Sequence, residues 1–312
     1  MAHYLLLSGL ETSAEAENAF FNHPKPRVDT MHGPIIDMRS RPAFLHDFYG
    51  ATPETPEFET ARWLNRRLGS KQDDHFVRSL TPDGFIGEIR DAGISRAVVV
   101  GRDTPDIKIA NETIRDIARI YPELIGIASL NPQALSEREI GAEIERAVKT
   151  WGLAGVNIEP GFGSPPLQAD DPLLFPVYDA YKQLQVPVFL MSGPTTPNLE
   201  FARPAAIGRV ARAYPGLAIV CYHGFYPYVA EMIGVAFRYE NVYVVPDMYL
   251  FLPGGGLYVE AANGFMREQL LFGSSYPFRA MRQTLEDFLR LDWREDALEQ
   301  VLCRNAQRLL RL

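Results

Sequence analysis

Two arginines and an aspartate alternate along one strand-like segment near the start of the chain. Asp37, Arg39 and Arg41 are spaced by two within residues 34–41, so an extended backbone would place all three on one face. The other face would carry Ile36, Met38 and Ser40. Three charges on one buried face require a reason, because an unpaired buried charge is expensive. We expect Arg39 and Arg41 to bind a carboxylate or phosphate group, with Asp37 supporting Arg39.

A structural network is the alternative for the same residues. In it, Arg39 and Arg41 pair with Glu159 or Asp247 across the fold and contact no ligand. The residue types alone leave both interpretations open.

A histidine and an aspartate follow two later strand-like segments. His223 ends the segment 217–223, and Asp247 follows the segment 241–245. The unperturbed histidine pKa of ~6.5 suits proton transfer at neutral pH, and a neighbouring carboxylate would orient the ring and raise its pKa. A hydrogen-bonded structural histidine is the alternative. Cys221 would share a face with His223, but we expect a cysteine deeper in the strand to be buried and unreactive.

Other polar residues stand where further strands end. Asn157 and Glu159 alternate and would share one face, while Ser275 and Tyr276 follow the last strand-like run. We predict that these four side chains bind substrate. Each one alone is a weak signal, since turns favour residues such as asparagine and serine for backbone reasons.

Short apolar runs alternate with longer amphipathic stretches along the chain, the last of which covers 284–310. The predicted strands cover 34–41, 95–101, 124–130, 155–159, 187–191, 217–223, 241–245 and 270–273. Eight strand and helix pairs predict a single-domain (β/α)8 TIM barrel over residues 31–312, with its active site at the carboxyl ends of the strands. A doubly wound sheet is the alternative, but the GxGxxG turn expected after its first strand is absent.

Two segments fall outside this alternation. Residues 43–81 are too long for an ordinary connection and include a helix-like stretch over 58–68, so we predict a lid over the barrel mouth. Residues 1–30 are predicted to be an N-terminal arm, which need not be ordered.

Charge and composition narrow the classes of partner. The formal net charge is −8, without a basic run, which argues against binding to nucleic acid or anionic lipid. The apolar runs are much shorter than the ~20 residues that cross a bilayer. Two cysteines without CxxC spacing fit a reducing compartment, and we expect a cytoplasmic protein. Assembly into a homo-oligomer remains open.

Several motifs, in this order, resemble the amidohydrolase-related barrel family, which includes aminocarboxymuconate-semialdehyde decarboxylase and pyrone-dicarboxylate lactonase. They are Ile36-Asp37-x-Arg39-x-Arg41-Pro42, Gly155-Val156-Asn157-Ile158-x-Pro160, Asp171-Pro172, His223-Gly224 and Phe272-Gly273-Ser274-Ser275-Tyr276-Pro277. The resemblance extends from about Pro34 to Asn305-Ala306 and implies a TIM barrel with a metal centre.

This chain departs from the family at most of the implied ligand positions. The residues found there are Arg39 and Arg41 on strand one, Asn157 on strand four, Met191 or Ser192 on strand five, and Ser275 on strand eight. Only the histidine of strand six is retained, as His223. The resemblance therefore implies the barrel more strongly than it implies the metal.

The distribution of histidines leads to the same expectation. The six histidines are His3, His23, His32, His46, His75 and His223, of which only the last falls on a later predicted strand. A catalytic zinc ion requires about three protein ligands, and arginine has no lone pair to donate. We expect neither a catalytic metal nor another cofactor.

The predicted function is that of an enzyme without a catalytic metal that acts on a small carboxylated molecule, as a lactonase-type hydrolase or a decarboxylase. His223 and Asp247 would move protons, and Arg39 and Arg41 would hold the substrate. The resemblance to pyrone-dicarboxylate lactonase implies that activity is compatible with loss of the metal. The alternative is an inactive barrel that binds a ligand or another protein.

Overall fold

The strands run parallel and pair in sequence order. A computed structural model describes residues 33–70 and 72–312. The strands are β1 (Ile36–Ser40), β2 (Arg96–Val100), β3 (Leu124–Ser129), β4 (Val156–Ile158), β5 (Val188–Met191), β6 (Ile219–Tyr222) and β7 (Val242–Val245). Each pairs with the next one along the chain, and a helical crossover connects them, as in a (β/α)8 barrel. The predicted TIM barrel is confirmed.

The eighth segment, residues 270–273, closes the barrel through hydrogen bonds but lacks regular strand geometry. The Leu271 amide donates to the Val244 carbonyl of β7, and the Met38 amide of β1 donates to the Phe272 carbonyl, both at 2.9 Å. The strand predicted over 270–273 is therefore present as an irregular segment that bonds to both of its neighbours.

Helices fill the connections and pack outside the strands. They are α1 (Pro56–Arg67), α2 (Asp74–Arg78), α3 (Pro82–Asp91), α4 (Asn111–Ile120), α5 (Glu137–Glu145), α6 (Phe175–Leu184), α7 (Pro204–Ala213), α8 (Val229–Arg238), α9 (Leu257–Ala262), α10 (Met281–Leu289), α11 (Glu295–Glu299) and α12 (Asn305–Leu310). The helix predicted over 284–310 is interrupted at 290–294, where the Trp293 indole donates to the Phe288 carbonyl at 2.8 Å. A π-helical turn joins α11 to α12.

Alternate strand residues enter two separate apolar clusters. Val98 and Val100 of β2 pack with Met191 of β5 in the barrel interior. Ala97 and Val99, between them, belong to the larger cluster that contains the helices. This alternation follows from the strand pleat and decides which side chains can reach the mouth of the barrel.

A β-bulge interrupts the alternation on β1. Asp37 lies beside Ala97, but the register has shifted by the time the chain reaches Ser40. Asp37 therefore lies on the outer side with Ala97, whereas Arg39 and Arg41 point into the barrel. The prediction that Asp37, Arg39 and Arg41 share one face is wrong, because a bulge adds a residue to one strand and breaks the period of two.

The insertion after β1 packs over the carboxyl ends of the strands. Leu68, which follows α1, packs against Met248 and Tyr249 beyond β7. The Asn65 side chain donates from Nδ2 to the Phe278 carbonyl at 2.9 Å. We refer to residues 43–70 as the roof, and their position agrees with the predicted lid.

The predicted N-terminal arm, residues 1–30, lies outside the described residues. Within residues 33–70 and 72–312, no helix combines the length and the apolar character needed to cross a bilayer.

Candidate active site

Three residues at the carboxyl ends of the strands have left-handed backbones. The φ angles are 61° at His223, 42° at Asp247 and 59° at Ser275, which follow β6, β7 and the eighth segment. This conformation costs roughly 1–2 kcal/mol for a residue other than glycine. Strain of this kind gathers at functional sites. Its repetition around one end of the barrel indicates that the mouth is built for a purpose other than stability.

His223 and Asp247 form a buried pair. The Nδ1 atom of His223 lies 2.8 Å from Oδ2 of Asp247 and 3.0 Å from Oδ1. The backbone amide of His223 also donates to Oδ2, at 3.3 Å. Because the carboxylate accepts, Nδ1 carries the proton and Nε2 keeps its lone pair. The structure thus brings the two predicted residues together with Nε2 free to act.

Burial lowers the pKa of His223 below its usual value of 6.5. The charge and hydrogen bond of Asp247 raise the pKa, but they do not reverse the effect of burial. The positive charges of Arg39 and Arg41 lower it further. Asp247 raises the pKa of His223, as predicted, but the net shift of this pKa is downward. The imidazole is therefore neutral at neutral pH.

Cys221 does not share a face with His223, contrary to the prediction. Cys221 belongs to the outward cluster among the helices, whereas Tyr222 belongs to the inward one. The left-handed backbone of His223 turns its side chain to the inside. Burial raises the pKa of the Cys221 thiol far above its usual value, so the thiol stays protonated and inert.

Arg41 is fully engaged by partners within the barrel. Its guanidinium forms an ion pair with Glu159 and donates to the carbonyls of Gly101 at 2.8 Å and Val100 at 3.1 Å. Glu159 also lies 3.1 Å from Nε of Arg102. Burial alone would raise the pKa of Glu159, but the arginines outweigh it and the pKa falls below its usual value. For Arg41, the structural network is the arrangement that the protein adopts.

Arg39 has no carboxylate within 4.0 Å among the described residues. Its Nη2 donates to the sulfur of Met191 at 3.1 Å, and its guanidinium lies 5.2 Å from the centre of the Tyr222 ring. Its Nε is buried without a hydrogen-bond partner in that part of the chain. Burial and the charge of Arg41 lower the pKa of Arg39 to about 10, so it remains a cation. A buried cation in this environment has the chemistry to bind an anion, which is the role predicted for Arg39 from the sequence.

A glycine allows Arg39 to approach the histidine–aspartate pair. A Cβ atom at Gly273 would lie 3.2 Å from Cβ of Arg39, 3.4 Å from Cβ of Asp247 and 2.7 Å from Cγ1 of Val245. A larger residue would have to displace one of these neighbours. Gly273 therefore keeps Arg39 and the His223–Asp247 pair side by side.

Asp37 supports Arg39 through the backbone and not through the guanidinium. Its carboxylate accepts from the amide of Arg39 at 3.0 Å and from the amide of Ser274 at 2.8 Å. The Ser274 hydroxyl is a third donor. Burial raises the pKa of Asp37 to about 6 despite these bonds. The residue joins β1 to the eighth segment beneath the site.

Two of the four other predicted site residues lie together inside the barrel. Asn157 and Glu159 share the inward face of the strand end, and Nδ2 of Asn157 donates to Oε1 of Glu159 at 3.0 Å. Ser275 lies at the mouth, where its amide donates to the Arg39 carbonyl at 2.9 Å.

Tyr276 is not brought into this cluster. Its hydroxyl donates to the carbonyl of His75 at 2.8 Å, and its ring packs 5.4 Å from that of Phe85. The left-handed turn at Ser275 directs the following side chain toward the layer of helices. The structure therefore places Tyr276 apart from the other predicted site residues, and its role in substrate binding stays a prediction.

Sequence reasoning missed two tyrosines beside the catalytic candidates. Tyr222 packs inside the barrel below Arg39, and the ring of Tyr249 meets that of His223 edge-on at 5.0 Å. Strand alternation would place Tyr222 opposite to His223, so only the strained backbone of His223 puts both inside. Tyr249 comes from a short helical turn after β7 that carried no signal in the sequence.

The side chains at the mouth do not fit a catalytic metal ion. Residues 33–70 and 72–312 contain no group of three or more His, Cys, Asp or Glu side chains that could hold one. Two of the positions implied by the family hold guanidinium groups, which repel cations and have no lone pair to donate. Nδ1 of His223 and the carboxylate of Asp247 are directed toward each other, which leaves only Nε2 of this pair as a donor atom.

Comparisons with known proteins agree with the barrel. An amidohydrolase family model matches residues 66–312. An uncharacterized TIM-barrel protein from Bordetella bronchiseptica is 32% identical, with 89% of this chain and 99% of that chain covered and a TM-score of 0.81. No curated protein is similar enough in sequence to count as a relative.

More distant structures share the fold. A 2,6-dihydroxybenzoate decarboxylase in complex with 2,6-dihydroxybenzoate is 17% identical, with 89% of this chain and 99% of that chain covered and a TM-score of 0.62. A 5-carboxyvanillate decarboxylase from Novosphingobium aromaticivorans, with bound manganese, is 15% identical, with 90% and 97% covered and a TM-score of 0.60. The family model covers most of the chain, and the chain belongs to the amidohydrolase family.

Proposed function

We propose that this protein is a hydrolase of a small carboxylated ester or lactone and that it works without a catalytic metal ion. The observation that carries the proposal is the buried guanidinium of Arg39, which has no carboxylate partner among the described residues and lies beside the His223–Asp247 pair. Such an arrangement places an anion receptor next to a neutral base.

His223 is the general base and then the general acid. Its Nε2 takes a proton from a water molecule, and the resulting hydroxide adds to the carbonyl carbon of the substrate. The bond from that carbon to the leaving oxygen breaks, and Nε2 returns the proton to the leaving oxygen. Asp247 stabilises the intermediate imidazolium through Nδ1 and holds the ring in place.

Arg39 supplies positive charge where the reaction develops negative charge. In a buried site, a fixed cation stabilises an oxyanion more strongly than it does in water. The guanidinium offers several donors, so one edge can hold a substrate carboxylate while another faces the reacting carbonyl. Arg41 cannot share this role, because Glu159 and two backbone carbonyls already occupy its donors.

Decarboxylation is the second candidate, since decarboxylases share this fold at low identity. The charge distribution favours hydrolysis. A carboxylate paired with Arg39 would be stabilised in the ground state, whereas decarboxylation moves its charge onto carbon in the transition state. Loss of carbon dioxide from the group that Arg39 holds would therefore be slowed.

Turnover on a panel of small carboxylated lactones, esters and aromatic acids tests the proposal. The wild-type protein and His223→Asn would be assayed with and without a chelator, and the products analysed for ring opening or carbon dioxide. We expect hydrolysis that resists chelation and a loss of kcat of about 10²- to 10⁴-fold in the variant. Equal rates in both proteins, or release of carbon dioxide, would overturn it. Binding without turnover would favour the inactive barrel.

A further inference from the structure

The hydroxyl group of Tyr249 is buried beside His223 without a partner. Only 3% of Tyr249 is exposed, and its hydroxyl forms no hydrogen bond within residues 33–70 and 72–312. Leaving a buried polar atom unpaired costs on the order of 1–3 kcal/mol, so native proteins rarely tolerate it without a ligand or water. Neither the fold nor the proposed mechanism uses this hydroxyl, which is therefore available to a bound molecule.

The ring of Tyr249 is held in place by its neighbours. It meets the His223 ring edge-on, with 5.0 Å between the ring centres and 88° between the planes. The Tyr226 ring stacks on it almost in parallel at 5.3 Å, and Leu68 of the roof packs against it. A side chain that is already fixed by packing loses little entropy on binding, so its hydroxyl is preorganised for a ligand.

The loop after β5 borders both the His223 ring and the Tyr249 hydroxyl. A Cβ atom at Gly193 would lie 3.4 Å from Cδ2 of His223, the ring carbon that is bonded to Nε2. Thr195, two residues further along, is a polar neighbour that lowers the pKa of Tyr249, although the Tyr249 hydroxyl forms no hydrogen bond of ordinary geometry. The hydroxyl and the free nitrogen of His223 therefore face the same part of the mouth.

The Tyr249 hydroxyl is a donor that lies close to the charged groups of the site. Burial raises the pKa of Tyr249 far above its usual value, so the phenol stays protonated. The charge of Asp247 raises this pKa as well and the charge of Arg39 lowers it, so both groups act at the position of the hydroxyl. Arg39 and Tyr249 are therefore two donors beside His223, one charged and one neutral.

We propose that Tyr249 is a further catalytic residue, whose hydroxyl donates a hydrogen bond to the oxyanion that forms during hydrolysis. When hydroxide adds to the carbonyl carbon of the substrate, the π electron pair of the carbonyl moves onto its oxygen, where Tyr249 and Arg39 stabilise the negative charge. The pair returns as the bond to the leaving oxygen breaks, and no proton leaves Tyr249. This inference rests on the proposed hydrolysis and adds a neutral donor to the charge of Arg39.

Two probes that share a carboxylate separate the intermediate from the substrate. Phosphonoacetate carries a second, tetrahedral anion, as the intermediate does, whereas malonamate carries a neutral planar carbonyl, as a substrate does. Calorimetry would measure the binding of each probe to the wild type and to Tyr249→Phe. We expect the substitution to weaken phosphonoacetate binding by about 10- to 100-fold, the value of one hydrogen bond to a charged group. Malonamate binding should weaken by a smaller factor, because hydrogen bonds to neutral groups are worth less.

Tyr249→Phe also separates catalysis from a structural role. Removal of an unpaired hydroxyl leaves the packing of the ring intact, so the melting temperature should stay the same or rise. On a substrate that the wild type hydrolyses, kcat should fall by about 10²- to 10³-fold, the usual loss for one oxyanion donor, while the acidic limb set by His223 stays in place. The matched control is Tyr181→Phe, because Tyr181 is also buried but donates to the Val156 carbonyl at 2.8 Å. That variant should melt at a lower temperature and keep a normal kcat.

Failure of this role is distinguishable from failure of the proposed function. Equal losses for the two probes, or an unchanged kcat in Tyr249→Phe, would overturn the role of Tyr249 while Arg39→Met still abolishes malonamate binding and His223→Asn still lowers kcat. Normal malonamate binding by Arg39→Met, or a wild type that binds neither probe, would instead overturn the role of Arg39. The proposed function and this inference would then fail together.

Discussion

Replacing Arg39 of β1 or Arg41, which follows β1, by methionine should have opposite effects on stability. Arg39 is buried without a carboxylate partner among the described residues, whereas Arg41 is paired with Glu159. Burial and the charge of Arg41 lower the pKa of Arg39 from 12.5 to about 10, which corresponds to a cost of about 3 kcal/mol for keeping its charge in this position. The contact of the Arg39 guanidinium with the Tyr222 ring offsets about 1 kcal/mol of this cost. Arg39→Met should therefore stabilise the fold by about 1–2 kcal/mol.

Arg41→Met should destabilise the fold by about 3–5 kcal/mol. It removes one partner of a buried ion pair and leaves Glu159 with less compensation. It also leaves the carbonyls of Val100 and Gly101 without their donor.

Arg39→Met should impair the binding of small dicarboxylates more than Arg41→Met does. Arg39→Met should weaken binding by about 1.5–3 kcal/mol, the range for hydrogen bonds to charged groups. Urea unfolding at pH 7.5 gives the stability of each variant, and calorimetric titration gives the affinity. The reasoning is refuted if Arg39→Met destabilises the protein as much as Arg41→Met does and leaves the affinity unchanged. Arg39 would then be a structural residue.

The remaining predictions concern the His223–Asp247 pair, the hydrogen bonds of Asp37 beneath it and the metal content of the protein. The apparent pKa of the acidic limb in a plot of kcat against pH should lie below 6.5, because burial lowers the pKa of His223 and the reaction needs its neutral form. An apparent pKa above 7 would contradict this. The pKa of His223 is lower in the folded than in the unfolded state. Its contribution to stability is therefore present above pH 6.5 and lost as the pH falls. Urea titrations at several pH values would measure this loss. Asp247→Asn should lower kcat by about 10²- to 10⁴-fold with a small change in melting temperature. The reason is that an amide can donate to Nδ1 of His223 and stabilise the tautomer in which Nε2 carries the proton. An unchanged kcat would remove Asp247 from the mechanism. Ser274→Ala removes a donor to the buried carboxylate of Asp37 and should lower the free energy of unfolding in urea by about 1–3 kcal/mol. An unchanged stability would show that this hydrogen bond is unimportant. Purified protein should contain far less than one equivalent of zinc, manganese or iron by elemental analysis, and stoichiometric metal lost together with activity on chelation would contradict the proposed mechanism.

The barrel could be predicted because its signals are local. Runs such as Arg96–Val100 are strand-forming by residue type, and their alternation with amphipathic stretches leaves few topologies open. The candidates His223, Asp247, Arg39 and Arg41 followed from the rule that barrel enzymes carry their chemistry at the carboxyl ends of strands. The sequence alone therefore determined the fold and supplied the candidate side chains at the carboxyl end of the barrel.

Tertiary structure decided which face each side chain occupies and which charges are paired. The bulge on β1 puts Asp37 and Arg39 on different faces, and the left-handed backbones of His223 and Ser275 take the side chains of His223 and Tyr276 out of the expected alternation. These departures are imposed by closure of the barrel and by contacts with distant segments such as Ser274. Pairing of Glu159 with Arg41 rather than Arg39 likewise depends on distances across the barrel. Local residue patterns set the propensity of each segment, but the free energy of a charge is set by neighbours that are far away in the sequence.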